Sequence, residues 1–327
     1  MATLTHDTMM VSSSRLGAGL TFALVSATSF GLSGSLARGL LDAGWSAGAA
    51  VTVRIGIAAL VLLVPALLTL RGRWELLRRN NFLIAAYGVV AVAGCQLCYF
   101  YAVAHLQVGV ALLIEYTAPV AVVVWMWLRH GHAPGRMTVL GAVVAAVGLL
   151  LVLDIVSGAS LNVVGVLWAL GAMIGAATYF VMSADEDNGL PPLVLAAGGL
   201  TVGTLVLGTA GLLRLVPMAA STTDASYDGT QVAWWIPLAL LGLVTAATAY
   251  TTGIAAGRRL GSRLASFVAL TEVVAALGFA WLLLDELPRW IQLFGGIFLL
   301  AGVVLVKLGE PRAPEFPSDG EVGVPVP

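Results

Sequence analysis

One stretch of the chain occurs twice, and this repeat constrains the fold more than any other feature of the sequence. Residues 102–153 align without a gap on residues 256–307 when the chain is shifted by 154 positions. Small and aromatic residues recur at matched places, so that Trp127, for example, falls on Trp281. Self-similarity at a fixed distance is typical of a duplicated architecture, and we therefore expect two related halves.

The composition excludes a water-soluble globular fold. Hydrophobic residues make up 59% of the 327 residues and charged residues only 10%, with a mean hydropathy of +0.97. A soluble globular protein carries about 25% charged residues, so the lipid bilayer is expected to be the main solvent. The net charge of −1 indicates no nucleic-acid partner. There is no Walker loop for ATP, and the pair His130 and His132 is a weak metal signal. We expect no cofactor and no metal.

Ten apolar runs are each near the length of about 20 residues that an α-helix needs to cross hydrocarbon. The first run has a counterpart in the second half, so it is expected to be a permanent span rather than a signal peptide. The polar ends, residues 1–14 and 309–327, are predicted to be disordered and cytoplasmic. The runs cover about residues 16–37, 46–70, 82–103, 108–128, 136–155, 161–183, 190–213, 234–256, 261–284 and 288–308.

Each half holds five of these runs, and the predicted halves are residues 15–155 and 161–308. The first two helices of each half match with a shift of 146, which places Ala23 on Ala169. An odd number of spans makes the two halves insert with opposite orientations. The sequence thus predicts an all-α membrane protein of ten transmembrane helices, arranged as two inverted five-helix repeats, with a binding site between them.

Basic residues in the predicted loops indicate the orientation. If the amino terminus is cytoplasmic, only Arg38, Arg214 and Arg289 fall outside, while the other loop arginines fall inside. This asymmetry follows the positive-inside rule and places both termini in the cytoplasm. The acidic loop 185–187 falls inside without a basic residue, but acidic residues carry little weight in this rule.

Several local motifs match a known transporter family. They are the Ala50–Leu60 segment with Arg54, the Leu113–Trp127 segment, and a Gly-x6-Gly helix that ends each half. The chain resembles the EamA-type transporters of the drug/metabolite transporter superfamily from Leu16 to Lys307. The run Leu-Ile-Glu-Tyr-Thr-Ala-Pro is similar to members that export threonine, homoserine and related metabolites. The resemblance implies a multi-pass exporter of small metabolites in a bacterial inner membrane, not an enzyme.

Two opposite charges lie at matched depth in the first half. Arg54 lies about eight residues, or roughly 12 Å at 1.5 Å per residue, inside the second span. An arginine at a helix centre costs ~2.5–3.5 kcal/mol on insertion scales, so it is expected to face the protein interior. Glu115 lies at a similar depth in the fourth span, and pairing would lower the cost of both charges. Arg54 is either an anchor for a substrate carboxylate or a structural or snorkelling charge. Glu115 is either a coupling residue or a staple between helices.

Glu272 lies near the predicted midplane of the ninth span, where no Lys or Arg of the second half has a comparable depth. Burial disfavours a charged carboxylate, so Glu272 is a candidate proton carrier whose protonation is linked to opening of a cavity. The alternative is a protonated glutamate that is hydrogen-bonded to Thr271 or to a backbone carbonyl and has only a structural role.

Aromatic and polar side chains of the third, fourth and eighth spans are candidates for lining a substrate cavity. Each one is individually compatible with packing or with the aromatic belt at the lipid interface. Pro119 lacks an N–H, so it frees the carbonyl of Glu115 and predicts a helix kink at cavity depth, with a plain packing kink as the alternative. Besides Arg54 and Glu115, the predicted substrate-binding residues are Tyr99, Tyr101, Tyr116, Trp125, Thr248 and Tyr250.

The sequence favours a secondary active exporter of small metabolites, amino acids or their derivatives, that works by alternating access. Proton coupling is predicted through Glu115 or Glu272, with Arg54 binding an anionic group. The alternatives are an uncoupled facilitator or exchanger, a membrane-embedded enzyme, and a scaffold or receptor. An enzyme predicts clustered nucleophiles at one depth, and the sequence has no such cluster. The expected partners are a small-molecule substrate and membrane lipids; a homodimer is compatible with the sequence, which does not fix the oligomeric state.

Overall fold

The computed structural model describes the backbone of residues 3–118, 120, 135–152, 162–185 and 187–309. The side chains of residues 3–15, 184, 261–264, 266, 267 and 307 lie outside that description. Within it the chain is almost entirely helical. The elements are α1 Thr3–Asp42, α2 Ala47–Thr69, α3 Glu75–Arg79, α4 Asn81–Ala86, π1 Tyr87–Gly94, α5 Cys95–His105, α6 Val108–Glu115, α7 Arg136–Val152, α8 Val163–Ala184, α9 Pro192–Leu212, β1 Ala225–Tyr227, β2 Thr230–Val232, α10 Trp235–Gly242, π2 Leu243–Thr248, α11 Ala249–Ala269, α12 Thr271–Leu284 and α13 Trp290–Gly309.

Six of the described helical segments are long and apolar enough to cross a membrane, and three shorter apolar helices accompany them. The predicted fourth span, residues 108–128, is described only to residue 118 and at residue 120, so the count of ten spans stays a prediction. Large apolar side chains such as Leu212 and Phe82 are more than four-fifths exposed, as a lipid-facing surface requires. The long segments are Leu16–Asp42, Ala47–Thr69, Asn81–His105, Val163–Ser183, Pro192–Leu212 and Trp235–Leu260, and the shorter ones are Arg136–Val152, Thr271–Leu284 and Trp290–Val306.

Local sequence signals set where several helices begin. Ser46 caps α2, because its side chain accepts a hydrogen bond from the Ala49 N–H at 3.3 Å. Asn162 caps α8 in the same way, accepting from the Gly165 N–H at 3.0 Å. Pro192 stands in the first turn of α9, where a missing N–H costs nothing. These caps satisfy N–H groups that the helix itself leaves unpaired.

Helices α7 and α13, the last helix of each half, pack along a seam of glycines. A Cβ atom on Gly148 would lie 2.7 Å from the Gly295 carbonyl oxygen, and one on Gly302 would lie 2.6 Å from the Gly141 carbonyl oxygen. The two backbones are therefore in direct contact, as small residues permit between membrane helices. The lower-numbered glycine of each helix meets the higher-numbered glycine of the other, so the helices run antiparallel.

The first and third helices of the two halves repeat one set of contacts. Gly19 of α1 lies against the Leu260 side chain of α11, and the Ser26 hydroxyl donates to the Ala249 carbonyl oxygen at 2.8 Å. This order along the two helices makes the pair antiparallel. The equivalent residues under the shifts of 146 and 154 are Gly165, Leu106, Ala172 and Cys95. Gly165 lies against the Leu106 side chain, and Cys95 Sγ lies 3.5 Å from the Ala172 carbonyl oxygen, so in this copy the third helix supplies the side chain and the first helix the carbonyl.

The third helix of each half contains a π-helical segment at an equivalent place. π1 covers Tyr87–Gly94, and a shift of 154 places it on residues 241–248, which include π2. π-helical segments are rare and occur frequently at functional sites. Ala91 of π1 lines the cavity described below. The distortion of the two helices is thus a shared feature of the repeat at the level of the cavity.

A β-hairpin departs from the all-α fold that the sequence predicts. β1 and β2 pair antiparallel, with Tyr227 opposite Thr230, and the turn residues Asp228 and Gly229 both have positive φ angles. An Asp-Gly pair with positive φ at both residues is the preferred two-residue hairpin turn, and it lies between the predicted spans 190–213 and 234–256.

The hairpin packs on the end of α1. The Tyr227 hydroxyl donates to the Leu36 carbonyl oxygen at 2.9 Å, and its ring occupies the space where a Cβ on Gly39 would lie. Burial, and to a smaller extent Asp42, raise the pKa of Tyr227 well above its ordinary value. Beside the hairpin, Trp45 and Trp234 stack with their ring centroids 6.1 Å apart. These contacts join the two halves at this end of the bundle.

Candidate functional site

A cavity of about 110 Å³ lies between the two halves of the chain. Its wall is built from α1, π1, α5, α6, α8, α11 and α12, so both repeats contribute to it. Most of the wall is apolar, with a few polar groups that converge on the space, which is the usual character of a small-molecule site. Its polar and aromatic members are Ser26, Phe30, Cys95, Gln96, Glu115, Tyr116, Tyr179, Phe180, Ser183, Tyr250 and Glu272.

The cavity lies toward one end of the helix bundle, and side-chain packing closes the other end. In α1 the lining residues run from Ala23 to Phe30, and the residues that follow, 33–40, are nearly all buried. The closure is tight, because a Cβ on Gly34 would collide with the Tyr99 hydroxyl and the Val108 side chain. Under the predicted orientation, the end of the bundle that contains the cavity is the cytoplasmic one.

Glu272 stands in the first turn of α12 and has a partner from the other half. The Tyr116 hydroxyl lies 2.7 Å from Glu272 Oε2 and 3.0 Å from the Ala269 carbonyl oxygen. A hydroxyl has one proton, so it donates to only one of these acceptors at a time. Both contacts are hydrogen bonds at once only when Glu272 is protonated and donates to Tyr116, which then donates to Ala269. The partner is thus neither Thr271, which bonds Val268 instead, nor a backbone carbonyl.

Glu115 is the last residue of α6 and has a thiol as its neighbour. Cys95 Sγ lies 3.6 Å from Glu115 Oε1 and 3.5 Å from the Ala172 carbonyl oxygen. The thiol also has a single proton for two acceptors. Glu115 and Glu272 therefore have similar surroundings. Each carboxyl touches a weakly acidic side chain of the first repeat, the Cys95 thiol or the Tyr116 hydroxyl, and that side chain also reaches a backbone carbonyl of the second repeat.

Four aromatic rings form a cluster on the cavity wall. Phe30 lies 5.1 Å from Tyr250 and 6.4 Å from Tyr179, measured between ring centroids. Tyr179 lies 5.7 Å from Tyr250 and 5.4 Å from Phe180. All four pairs are edge-to-face, the arrangement that aromatic quadrupoles favour. The cluster joins α1, α8 and α11, which belong to both halves.

Arg54 departs most from the sequence prediction. It is fully buried, it does not line the cavity, and it does not pair with Glu115. Its guanidinium donates to Gln96 Oε1 and to the Thr245 carbonyl oxygen, the latter at 2.6 Å. Gln96 in turn donates to the Tyr250 hydroxyl at 3.3 Å. The cause is helix rotation, because equal depth does not make two side chains point toward each other. Gln96 stands between the guanidinium and the cavity.

The other predicted site residues are divided between the cavity and the rest of the fold. Tyr116 and Tyr250 line the cavity together with Glu115 and Glu272. Tyr99 lies in the packed end of the bundle, and Tyr101 stacks on Trp168 with ring centroids 4.6 Å apart. Thr248 is exposed on the outer face of π2 and donates to the carbonyl of Leu243 in its own helix. Trp125 and Pro119 lie outside the described residues.

Several cavity residues were not among the sequence predictions. They are Phe30, Cys95, Tyr179, Phe180 and Ser183. The repeat contained a signal for one of them, Phe30. Phe30 and Ala176 are equivalent under the shift of 146, Gln96 and Tyr250 are equivalent under the shift of 154, and all four line the cavity. A position whose equivalent lines a cavity between two related halves is a candidate itself.

The profile of the EamA-like transporter family matches residues 17–154 and 163–308. The chain belongs to the EamA-like transporter family. It is therefore a multi-pass membrane protein and a transporter. Its fold is similar to that of a solved protein described as "Crystal structure of protein", with a TM-score of 0.60 and 19% sequence identity over 90% of this chain and 98% of that chain. A comparison with curated protein sequences finds no match.

Proposed function

We propose that this EamA-like transporter is a secondary active exporter of small metabolites, amino acids or their derivatives being the class. It works by alternating access between two inverted five-helix halves, and protons drive it through Glu272 and Glu115. The observation that carries this proposal is the cavity between the halves, which contains both carboxyls and an aromatic cluster. Ionisable groups inside a membrane bundle are expensive, which supports a function for them.

Alternating access needs two halves that can exchange roles. The antiparallel contacts between equivalent helices support an inverted relation, because the Gly19–Leu260 and Ser26–Ala249 contacts recur at equivalent positions with the halves exchanged. Inverted halves with a site between them are a common transporter architecture. In the conformation seen here one end of the bundle is closed at Gly34, Tyr99 and Val108. The alternate conformation would open this end of the bundle and close the opposite end.

Proton coupling is supported by the single hydroxyl proton shared at Glu272. When Glu272 is ionised, Tyr116 must donate to it and release the Ala269 carbonyl; when Glu272 is protonated, Tyr116 keeps its bond to Ala269. Ala269 ends α11 and Glu272 stands in the first turn of α12, so the proton changes the bonds at the joint of two helices. A charge change at such a joint is a direct means of biasing helix position.

Arg54 has a positioning role in this proposal. Its guanidinium fixes Gln96, and Gln96 holds the Tyr250 hydroxyl on the cavity wall. The sequence prediction that Arg54 binds an anionic substrate group would require the Gln96 side chain to move aside. In a bacterial inner membrane with both termini cytoplasmic, the cavity would receive substrate from the cytoplasm and release it outside.

The proposal is tested in proteoliposomes under an imposed pH gradient. Two labelled probes are assayed in parallel: threonine, which the resemblance to threonine and homoserine exporters suggests, and the small amine isobutylamine. We expect at least one of them to move against its concentration gradient. Glu272→Gln and Glu115→Gln should each reduce the gradient-driven component at least severalfold. Glu75→Gln is the matched control, because Glu75 is exposed in α3. Transport that keeps its proton dependence in both cavity variants would contradict the coupling, and counterflow without any pH dependence would indicate uncoupled exchange.

A further inference from the structure

The charges around the cavity do not suit a free carboxylate. Glu115 and Glu272 both line it, and none of its described lining residues is Lys or Arg. Arg54 is fully buried behind Gln96, whose side-chain oxygen its guanidinium already holds. Among the residues that the structure describes on the wall, an anionic ligand would thus meet two acids and no cation. Two carboxyls that share a site disfavour each other's ionisation, and a cation bound between them relieves this.

The aromatic cluster favours the same sign of ligand charge. Phe30, Tyr179, Phe180 and Tyr250 all line the cavity. The faces of aromatic rings attract cations, and groups of rings bind quaternary and alkylated ammonium ions for this reason. An alkyl chain on the cation would bury its surface against the same rings. Acids and aromatic rings therefore make complementary contacts with one molecule that carries an ammonium group on an apolar body.

We propose that the cavity binds small organic cations, with the ammonium group on Glu272 and Glu115 and the apolar body on the Phe30, Tyr179, Tyr250 cluster. This rests on the proposed function and narrows its substrate class to amines without a free carboxylate. The volume of about 110 Å³ sets the size of the ligand. An engineered cavity of about 150 Å³ holds benzene, so about four to five non-hydrogen atoms fit here without a change in the wall.

Four related molecules test this on the purified full-length chain in detergent at neutral pH. Isobutylamine is the cation of the expected size, isobutanol is its neutral analogue, propionate is an anion with the same number of non-hydrogen atoms, and glycine carries both charges at that size. The ligand-induced rise in the thermal unfolding temperature, titrated with each compound, gives the four dissociation constants. We expect isobutylamine to bind about tenfold or more tightly than the others, since hydrogen bonds to charged groups exceed neutral ones by about this factor.

Variants identify the groups responsible. Glu272→Gln and Glu115→Gln keep the side-chain shape and remove the charge, so each should reduce the preference of isobutylamine over isobutanol severalfold. Glu75→Gln in the exposed helix α3 should leave the preference unchanged. Phe30→Leu keeps an apolar side chain and removes a ring, and it should weaken tetramethylammonium binding more than isobutanol binding. A single symmetric elution peak for each variant shows that it is folded.

Two results would overturn the inference. One is propionate or glycine binding as tightly as isobutylamine, and the other is an amine preference that survives in both glutamine variants. Failure of the proposed function gives a different pattern, in which isobutylamine binds with the expected preference but proteoliposomes transport neither isobutylamine nor threonine. Proton-driven threonine transport without amine preference would retain the transporter and reject the amine class.

Discussion

Gln96→Leu tests how a fully buried arginine is stabilised without an ion pair. Arg54 is 0% exposed, and its described partners are Gln96 Oε1, the Thr245 carbonyl oxygen and the Phe100 ring, whose centroid lies 5.5 Å from the guanidinium carbon. A hydrogen bond to a charged group contributes about 1.5–3 kcal/mol. Leucine fills the volume of Gln96 but removes the bond to Arg54 together with the neutral bond from Gln96 to the Tyr250 hydroxyl. The buried charge then loses one of its two acceptors, so we expect a loss of about 2–3 kcal/mol.

A double-mutant cycle separates the lost bond from lost packing. Arg54→Met keeps an unbranched side chain in place and removes the charge. In that background, Gln96→Leu abandons only the neutral bond to Tyr250, which contributes about 1 kcal/mol. The coupling energy between positions 54 and 96 should therefore be about 1–2 kcal/mol. Neutral hydrogen bonds between membrane helices average only about 0.6 kcal/mol in such cycles, so a larger value would identify the charge as the cause.

The measurement is reversible unfolding of the detergent-solubilised chain, followed by the loss of helical signal. Gln107→Leu is the matched control, because Gln107 is exposed at the start of α6 and makes no capping bond with its side chain. The control should change stability by less than about 0.5 kcal/mol. A coupling energy below about 0.6 kcal/mol between Arg54 and Gln96 would refute the reasoning, because the guanidinium would then be held no more strongly than a neutral group.

Three further predictions follow from other parts of the structure. Tyr116→Phe removes the hydroxyl that lies 2.7 Å from Glu272 but keeps the ring, and gradient-driven efflux in proteoliposomes should fall about tenfold with counterflow retained. Gly148→Leu forces the α7–α13 seam apart and should cost at least about 1–3 kcal/mol in unfolding assays, whereas Gly208→Leu, with open space at its Cβ, should cost far less. Tyr227→Phe should cost about 1 kcal/mol for the hydrogen bond that it removes. Burial raises the Tyr227 pKa, so the folded wild type keeps its proton while the unfolded chain ionises above about pH 10; its stability should fall there more steeply than that of the variant.

The repeat made much of the helix pairing predictable. Gly141 and Gly148 fall on Gly295 and Gly302 under the shift of 154, and these glycines are the ones that bring α7 and α13 into contact. Glycines that recur at one helix face lose side-chain packing unless another backbone fills the space. Their recurrence in two halves is therefore informative about a contact between the halves, even without any coordinates.

The site was predictable in depth but not in direction. Position along a span follows from counting residues, and the two glutamates do lie at cavity depth. The rotation of each helix about its axis depends on packing with its neighbours, which one sequence does not specify. Arg54 and Thr248 show the consequence. Arg54 turns toward Gln96 instead of Glu115, and Thr248 turns outward at π2, where a shift in hydrogen bonding changes the helix phase.

The hairpin was missed although the sequence contains its signals. The shift between the halves grows from 146 to 154 after the second helix of each half, so the second half has eight extra residues before its third helix is complete. The Asp228-Gly229 pair is a strong turn signal. The hairpin falls in the predicted outside segment between the spans 190–213 and 234–256, and a three-residue strand is too short to show a period of two.

The seam and the cavity lie on different helices, and this separates the requirements of the fold from those of transport. None of the cavity-lining residues in the described part of the chain belongs to α7 or α13, whose glycines join the halves. The cavity wall comes instead from other helices, whose cross-half contacts include hydrogen bonds, aromatic edges and the close approach of Gly31 to the Glu272 carbonyl oxygen. Because no described residue of the seam lines the cavity, a change in seam packing leaves the groups that face a ligand in place. Gly148→Leu should thus lower the free energy of unfolding while ligand affinity per folded molecule is unchanged. Glu272→Gln should weaken ligand binding while the free energy of unfolding is unchanged.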